Sequence, residues 1–207
     1  MSTKSGNMTV AGALLFIGGL QWFMIVMAAE TLFPGYSTRA NDLSDLASTV
    51  APNISLIQPS AFLFNVTTFL LGLFILASAY LIHRASGARI FCIILAVAGI
   101  SAMGVGIFPG DTGAIHGLVA LATFVTSSLS AVAAYRHTGK PFAYFSAVIG
   151  VFSLIVLLMA MFSGGSSLFW EAFGRGGEER FIAYPVVLWF TGLGGYLMGA
   201  SSCKPID

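Results

Sequence analysis

The segment FLLGLFILA, residues 69–77, contains no polar side chain and decides the fold class of this chain. A membrane-spanning β-strand alternates apolar and polar side chains over about ten residues, whereas this segment is apolar on both faces. The mostly apolar run extends outward to Pro59 and Ile82. Because an α-helix needs roughly 20 such residues to cross a membrane, the run predicts a transmembrane helix.

Five further apolar runs have the length of a membrane span. The first is too long for the apolar region of a signal peptide, so we interpret it as a span. The predicted fold is all-α: a single integral-membrane bundle of six transmembrane helices over residues 1–207. The predicted spans cover residues 8–29, 59–82, 90–108, 116–135, 142–162 and 181–200.

The composition of the 207-residue chain agrees with this class. Hydrophobic residues make up 57% and charged residues 8%, and the mean hydropathy is +0.91. A soluble domain carries about 25% charged residues, and disorder requires low hydrophobicity with high net charge, so both classes are excluded. The chain has no basic block that would bind nucleic acid. Its two cysteines form no metal or redox motif, and no cofactor is predicted.

The charges separate by side of the membrane once the six spans are placed. The side that carries both termini has six basic residues and one acid, Asp207, whereas the opposite side has three basic residues and seven acids. Because cytoplasmic loops are enriched in Lys and Arg, we predict a multi-pass protein of the cell membrane with both termini in the cytoplasm. The basic residues of the first side are Lys4, Arg84, Arg89, Arg136, Lys140 and Lys204.

The predicted outer side has the longer loops, and loops carry binding and catalysis more often than buried scaffold does. In the first outer loop, Asp42 and Asp45 lie three residues apart, which places both carboxylates on one face of a short helix. They are either a pair that binds a cation or ordinary capping residues, with Asn41 or Asp42 as the N-cap. No metal site is predicted, and the weak candidates for one are Asp42, Asp45 and Glu179.

His116 is the only histidine on the outer side, in the first turn of the fourth span and shortly after Asp111. A histidine beside carboxylates in a membrane protein is a candidate general base, proton acceptor or metal ligand. His116 is therefore the one catalytic candidate. The alternative is an interfacial histidine that forms a hydrogen bond with a neighbouring loop.

The last outer loop ends in Glu178, Glu179 and Arg180, immediately before the sixth span. Acidic residues suit the N-terminus of a helix, whereas a cation there is disfavoured. Arg180 therefore needs a partner, for which Asp42, Asp45, Asp111 or a bound anion would serve, and we expect Asp45 or Asp111.

Polar and small residues within the spans predict helix packing. Gln21 and Asn65 are expected to form interhelical hydrogen bonds. A polar path that leads past Glu30 and Asn65 is the alternative. Small residues let helices approach closely, and the sixth, third and fourth spans carry them on one face. We expect such contacts at Gly192, Gly195, Gly199, Ala98, Ala102, Gly106, Ser127 and Ala131.

Four segments carry a resemblance to a known family. They are LSDL at residues 43–46, PSAFLFN at 59–65, GIFP at 106–109 followed by His116, and GEER at 177–180 leading into Tyr184 and Pro185. In this order they resemble the six-span archaeal and bacterial membrane proteins grouped as domain of unknown function 998. The resemblance implies six helices in a membrane and no established activity, cofactor or substrate. The recurring polar positions of the family correspond here to Ser44, Asp45, Asn65, His116, Glu179 and Arg180.

These residues predict a polar cluster outside the cytoplasm that closes over the mouth of the bundle. Three functional classes follow. The paucity of catalytic motifs favours a protein that binds a lipid or small ligand, or that docks another membrane protein. The alternatives are a small proton- or solute-coupled transporter, and an enzyme that acts on a lipid or envelope substrate with His116 as base and Arg180 as anion binder. The predicted cluster comprises Ser44, Asp45, Asn65, Asp111, His116, Glu178, Glu179 and Arg180.

Overall fold

The computed structural model describes residues 3–48 and 57–202 of the chain, so Lys204 and Asp207 lie outside the described residues. This part of the chain is helical and contains no strand. Six of its helices are long and apolar enough to cross a membrane, which confirms the all-α class and the number of spans. They are α1 (Thr3–Leu32), α2 (Ser60–Ser86), α3 (Arg89–Ile107), α4 (Ala114–Ala134), α5 (Phe142–Phe162) and α6 (Leu168–Ser202).

Helix α6 begins earlier than predicted and is broken at Gly174. Gly174 has a φ of 77° and a ψ of 175°, so the helix is interrupted there. A Cβ at this position would lie 2.3 Å from the carbonyl oxygen of Arg39, and only glycine allows that approach. The break separates a short helix at residues 168–173 from the membrane-length helix at 175–202.

The connections between the helices lie at two ends of the bundle. The termini face carries the start of α1, the turns at residues 87–88 and 135–141, and the end of α6. The loop face carries the connections after α1, α3 and α5, with two short 3-10 helices at Leu43–Ala47 and Gly110–Thr112. Successive helices pack against one another, and α1 also packs against α6, which closes the bundle.

Glycine brings α1 and α6 close together. A Cβ at Gly12 would lie 2.6 Å from the carbonyl oxygen of Gly194, and a Cβ at Gly194 would lie 2.5 Å from that of Gly12. The two backbones are therefore in direct contact. The expected close contacts at Gly195 and Gly199 are wrong, because a Cβ at either position would meet no atom of the described residues within 4 Å.

The two amides within the spans behave differently. Gln21 donates from Nε2 to the carbonyl oxygen of Thr67 at 3.1 Å and accepts from the Thr67 hydroxyl at 2.5 Å. The predicted interhelical hydrogen bond of Gln21 is therefore confirmed. For Asn65 the prediction is wrong, since its buried Oδ1 has no hydrogen-bond partner among the described residues.

Candidate functional site

Arg180 is a buried cation at the loop face, with 8% of its surface exposed. Its Nη2 donates to Glu30 Oε1 at 2.6 Å and to the Tyr36 hydroxyl at 2.7 Å. The Tyr36 ring also lies against the guanidinium, at 5.6 Å from its centroid. Nη1 donates to three backbone carbonyl oxygens, those of Thr38, Asn41 and Gly176.

The expectation that Arg180 pairs with Asp45 or Asp111 is wrong, because its partner is Glu30 near the end of α1. The pairing follows from the closure of the bundle, which brings α1 against α6. Protein acceptors occupy both Nη atoms, and only the buried Nε lacks a partner within the described residues. Arg180 is thus a structural cation that joins α1, the first loop and α6.

A second ion pair joins Asp42 to Arg175 and is more exposed, with 51% of the Arg175 side chain accessible. Arg39 adds a hydrogen bond from Nη1 to the carbonyl oxygen of Ala172 at 2.8 Å. Both contacts fasten the first loop to the beginning of α6. Burial raises the pKa of the Asp42 carboxyl above its usual value, although the Arg175 guanidinium opposes this shift.

The acidic pair of the first loop caps the 3-10 helix Leu43–Ala47, for which Asp42 is the N-cap. Asp45 Oδ2 accepts a hydrogen bond from the Asp42 N–H at 3.0 Å. The Glu179 carboxylate accepts another from the Leu43 N–H. The capping interpretation of this segment is confirmed, and Glu179 attaches the short helix to α6.

His116 lies in the first turn of α4, and its Nδ1 is 2.7 Å from the carbonyl oxygen of Phe108. A carbonyl oxygen only accepts hydrogen bonds, so Nδ1 carries the proton and the lone pair of the neutral ring is on Nε2. The predicted hydrogen bond to a neighbouring loop is therefore present. It fixes the ring and leaves Nε2 as an acceptor nitrogen.

A polar space, here named the vestibule, lies between the two 3-10 helices, the beginning of α4 and the beginning of the long part of α6. Its volume is about 400 Å³. Four carboxylates and one guanidinium contribute to its wall, so acidic groups predominate. Its polar lining consists of Asp42, Ser44, Asp45, Ser48, Asp111, His116, Arg175 and Glu179.

An apolar space, here named the chamber, lies next to the vestibule within the bundle, between α1, α2, α3, α4 and α6. On α2 its wall runs from Phe64 to Ile75, and on α6 from Glu179 to Phe190. With a rise of 1.5 Å per residue, each wall is about 16 Å long, or about half of a 30 Å hydrocarbon core. The volume open to the centre of a water molecule is about 60 Å³.

The vestibule and the chamber share part of their lining. Ser44, His116, Ala120 and Glu179 line both spaces, and we name these four residues the junction. Three of them are polar and lie at the end of the chamber that is nearest the loop face. A molecule that extends from one space into the other would therefore pass these four side chains.

The structure divides the predicted cluster into two sets. Glu178 is 4% exposed and accepts a hydrogen bond from the Ser167 hydroxyl, away from the vestibule. The residues that line neither space are Asn65, Glu178 and Arg180. The residues that do line the vestibule are Ser44, Asp45, Asp111, His116 and Glu179.

Sequence reasoning did not assign Arg175 or Ala120 to the site. Arg175 lies four residues before Glu179, and residues at that spacing share a helix face, so this signal was available. Ala120 carries no comparable signal. The three weak metal candidates, Asp42, Asp45 and Glu179, all line the vestibule. Within residues 3–48 and 57–202, no group of three or more His, Cys, Asp or Glu side chains is arranged to hold a metal ion.

Comparison with known proteins identifies the family of this chain. No curated protein and no solved structure matches the chain. A family model described as "Protein of unknown function (DUF998)" matches residues 16–196. This range includes every residue that lines the vestibule and the chamber, so the candidate site lies inside the matched region. The chain belongs to the DUF998 family of proteins of unknown function.

Proposed function

We propose that this membrane protein binds one slender amphiphile, a lipid or lipid-like molecule, with its polar head in the vestibule and its chain in the chamber. The four residues of the junction, which line both the polar and the apolar space, carry the proposal. Ligand sites typically combine apolar walls with a few placed polar groups. In this proposal the loop face lies outside the cell membrane and the termini lie in the cytoplasm, as the distribution of Lys and Arg supports.

The dimensions of the chamber favour one extended alkyl chain over a ring system or a column of water. About 60 Å³ is open to the centre of a water molecule along a length of about 16 Å, so the open cross-section is narrow. A buried water needs two to four polar partners. Much of the wall consists of large apolar side chains, among them Leu71, Ile75 and Phe190, which supply none.

The polar head decides whether such a ligand stays bound. Lipid tails are as apolar as the side chains of a bundle, so a chain gains little when it moves from the bilayer into the chamber. Contacts in the vestibule must therefore supply the selectivity. Arg175 pairs with Asp42, and burial raises the pKa of the Glu179 carboxyl to about 8, so this group is largely protonated at neutral pH. Because Asp45 and Asp111 add two further carboxylates to the wall, charge complementarity favours a cationic or neutral hydroxylated head over an anionic one.

The same geometry gives less support to the two alternatives. A transport path past Glu30 and Asn65 would require both residues to line it, and neither lines the vestibule or the chamber. An enzyme with His116 as base and Arg180 as anion binder would need both groups at one substrate. Arg180 lines neither space, and its Nη atoms are bonded to protein acceptors.

A substitution at the junction tests the proposal. Ala120→Phe places an aromatic ring where the vestibule narrows into the chamber, and we expect the affinity for the amphiphile to fall at least about tenfold, or 1.4 kcal/mol. The matched control is Ala122→Phe, because Ala122 lies one helical turn from Leu118, which is 68% exposed, and lines neither space. Native mass spectrometry of the purified protein would detect the retained molecule.

Trp22 provides a second readout, because it lines the chamber and is 4% exposed. A single-chain trimethylammonium amphiphile with bromine on its chain should quench this tryptophan in the wild type and in Ala122→Phe. Trp22→Phe identifies its contribution among the three tryptophans. The sulfate amphiphile of the same chain should quench weakly. Equal quenching in Ala120→Phe and Ala122→Phe would refute the proposal.

A further inference from the structure

A groove at the termini face carries basic side chains, and its described lining residues include no carboxylate. It lies between the beginning of α3, the end of α4 and α5, and has a volume of about 850 Å³. Arg89, Arg136 and His137 line it. It is therefore opposite in charge to the vestibule and lies at the other end of the bundle.

Among the described residues, no carboxylate pairs with the two guanidiniums of this groove. Within residues 3–48 and 57–202, the only ion pairs between Lys or Arg and carboxylates are the two at the loop face. The described part of the termini face contains no Asp or Glu. Both Arg89 and Arg136 are exposed, so each retains its hydrogen-bond donors for a ligand.

The beginning of α3 adds to the positive potential of the groove. Ala88 is the N-cap of α3 and has no side-chain oxygen to accept from the first turn, which also contains no acid. The first N–H groups of a helix lack intrahelical acceptors and carry a partial positive charge. Ala88 and Arg89 both line the groove.

Apolar side chains complete the wall. Ile90 is 76% exposed, and Phe91, Val132 and Ala147 lie in the same groove. Tyr135, which is 44% exposed, is also part of the lining, and tyrosine is enriched at the membrane–water interface. The groove thus combines cationic groups with an apolar surface at the level of lipid head groups.

We propose that this groove binds an anionic phospholipid, with the phosphate at Arg89 and Arg136 and an acyl chain against Ile90. Guanidinium groups contact phosphate oxygens in a bidentate manner. Basic pockets between transmembrane helices bind the heads of anionic lipids, and each basic side chain contributes about 1 kcal/mol at a membrane surface. The proposal is independent of the amphiphile in the vestibule, whose head has the opposite charge preference.

The test compares the retention of phosphatidylglycerol with that of phosphatidylcholine of the same chains, by native mass spectrometry of protein in mixed micelles. A contribution of about 1 kcal/mol from each arginine predicts that the ratio of retained phosphatidylglycerol to retained phosphatidylcholine falls about 30-fold in the double variant Arg89→Gln/Arg136→Gln. The matched control is Arg84→Gln/Lys140→Gln, which removes two charges from the same face but none from the groove. We expect the control to change the preference less than about threefold, because screening weakens exposed charges that do not contact the lipid.

Three further arms make the outcome decisive. Arg89→Lys/Arg136→Lys keeps the charge and should keep most of the preference, and Ala120→Phe should keep all of it. Inorganic phosphate at millimolar concentration should not displace phosphatidylglycerol. Equal losses in the two double variants, equal retention of both lipids by the wild type, or displacement by phosphate alone would overturn the assignment.

Discussion

The two arginine–carboxylate pairs of the loop face differ in burial, and this difference predicts how much each pair stabilises the fold. The Arg180 and Glu30 side chains are 10% and 16% exposed, whereas that of Arg175 is 51% exposed in its pair with Asp42. Glu30→Gln removes one charge from the buried pair and keeps the shape of the side chain. Arg175→Gln does the same for the exposed pair.

The loss of unfolding free energy depends on whether each substitution leaves the partner charge buried or exposed. Removing one partner of a buried ion pair costs about 3–5 kcal/mol, because the other charge stays buried. Arg180 keeps its hydrogen bonds to Tyr36 and to three carbonyl oxygens, so we expect Glu30→Gln to cost about 3 kcal/mol. An exposed pair contributes about 0.2–1 kcal/mol, which is the loss expected for Arg175→Gln.

Equilibrium unfolding by sodium dodecyl sulfate in mixed micelles, followed by circular dichroism, measures both losses. A double-mutant cycle of Glu30→Gln and Arg180→Gln should give a coupling free energy of at least about 1 kcal/mol, since the two side chains are in contact. Equal losses for Glu30→Gln and Arg175→Gln, or a coupling near zero, would show that burial does not give the Arg180 pair its structural role.

Three further outcomes are expected. Gly194→Leu should lose about 1–3 kcal/mol of unfolding free energy through overpacking against Gly12. Gly195→Leu should stay within about 0.5 kcal/mol of the wild type, and the same detergent titration measures both variants. Gly174→Ala should cost about 1–3 kcal/mol in that titration, because its φ of 77° and ψ of 175° suit glycine alone. The raised pKa of Asp42 means that the folded state holds this proton more tightly than the unfolded chain does, so its contribution to stability is present below about pH 4 and is lost as the pH rises through the folded pKa. Burial also raises the pKa of the Glu179 carboxyl, to about 8, which adds a slope of the same sign. Asp42→Asn should therefore reduce, but not abolish, the slope in melting temperatures measured from pH 4 to 8.

The spans were predictable because a backbone in lipid must form its hydrogen bonds internally, which leaves few alternatives for a long apolar run. Helix α5 begins and ends at the predicted residues, Phe142 and Phe162. The membrane-length part of α6 starts at residue 175, before the predicted start of the span at residue 181, and joins the short helix at residues 168–173 through the break at Gly174. Hydropathy alone does not detect the break at Gly174.

The partner of Arg180 was not predictable, although its need for one was. A cation at the start of a helix requires an acceptor, and the outer loops offer several acids at similar sequence distances. The acid that it contacts depends on which helices pack together. Glu30 meets Arg180 because α1 closes the bundle against α6, and nothing in the local sequence around either residue encodes that contact.

The vestibule was largely predictable, and the chamber was not, for a physical reason. Charged residues are scarce in this chain, so those grouped in the outer loops stand out. The chamber is lined by apolar residues of the kinds that also fill a packed core. On α3 and α4 it is bordered by small side chains, Ala102, Ala120 and Ser127, and two of these were expected to mark close helix contacts.

Small residues within a span can have two opposite consequences. At Gly12 the absent side chain lets the backbone of α6 approach, so the space is filled. At Ala120 the wall of the chamber also contains the aromatic rings of Trp22 and Phe190, and the space beside the small side chain stays open. The same substitution, small to large, should therefore break a helix contact at the first position and close a binding chamber at the second. The residue on the opposing helix decides between these outcomes, and only the tertiary packing identifies it.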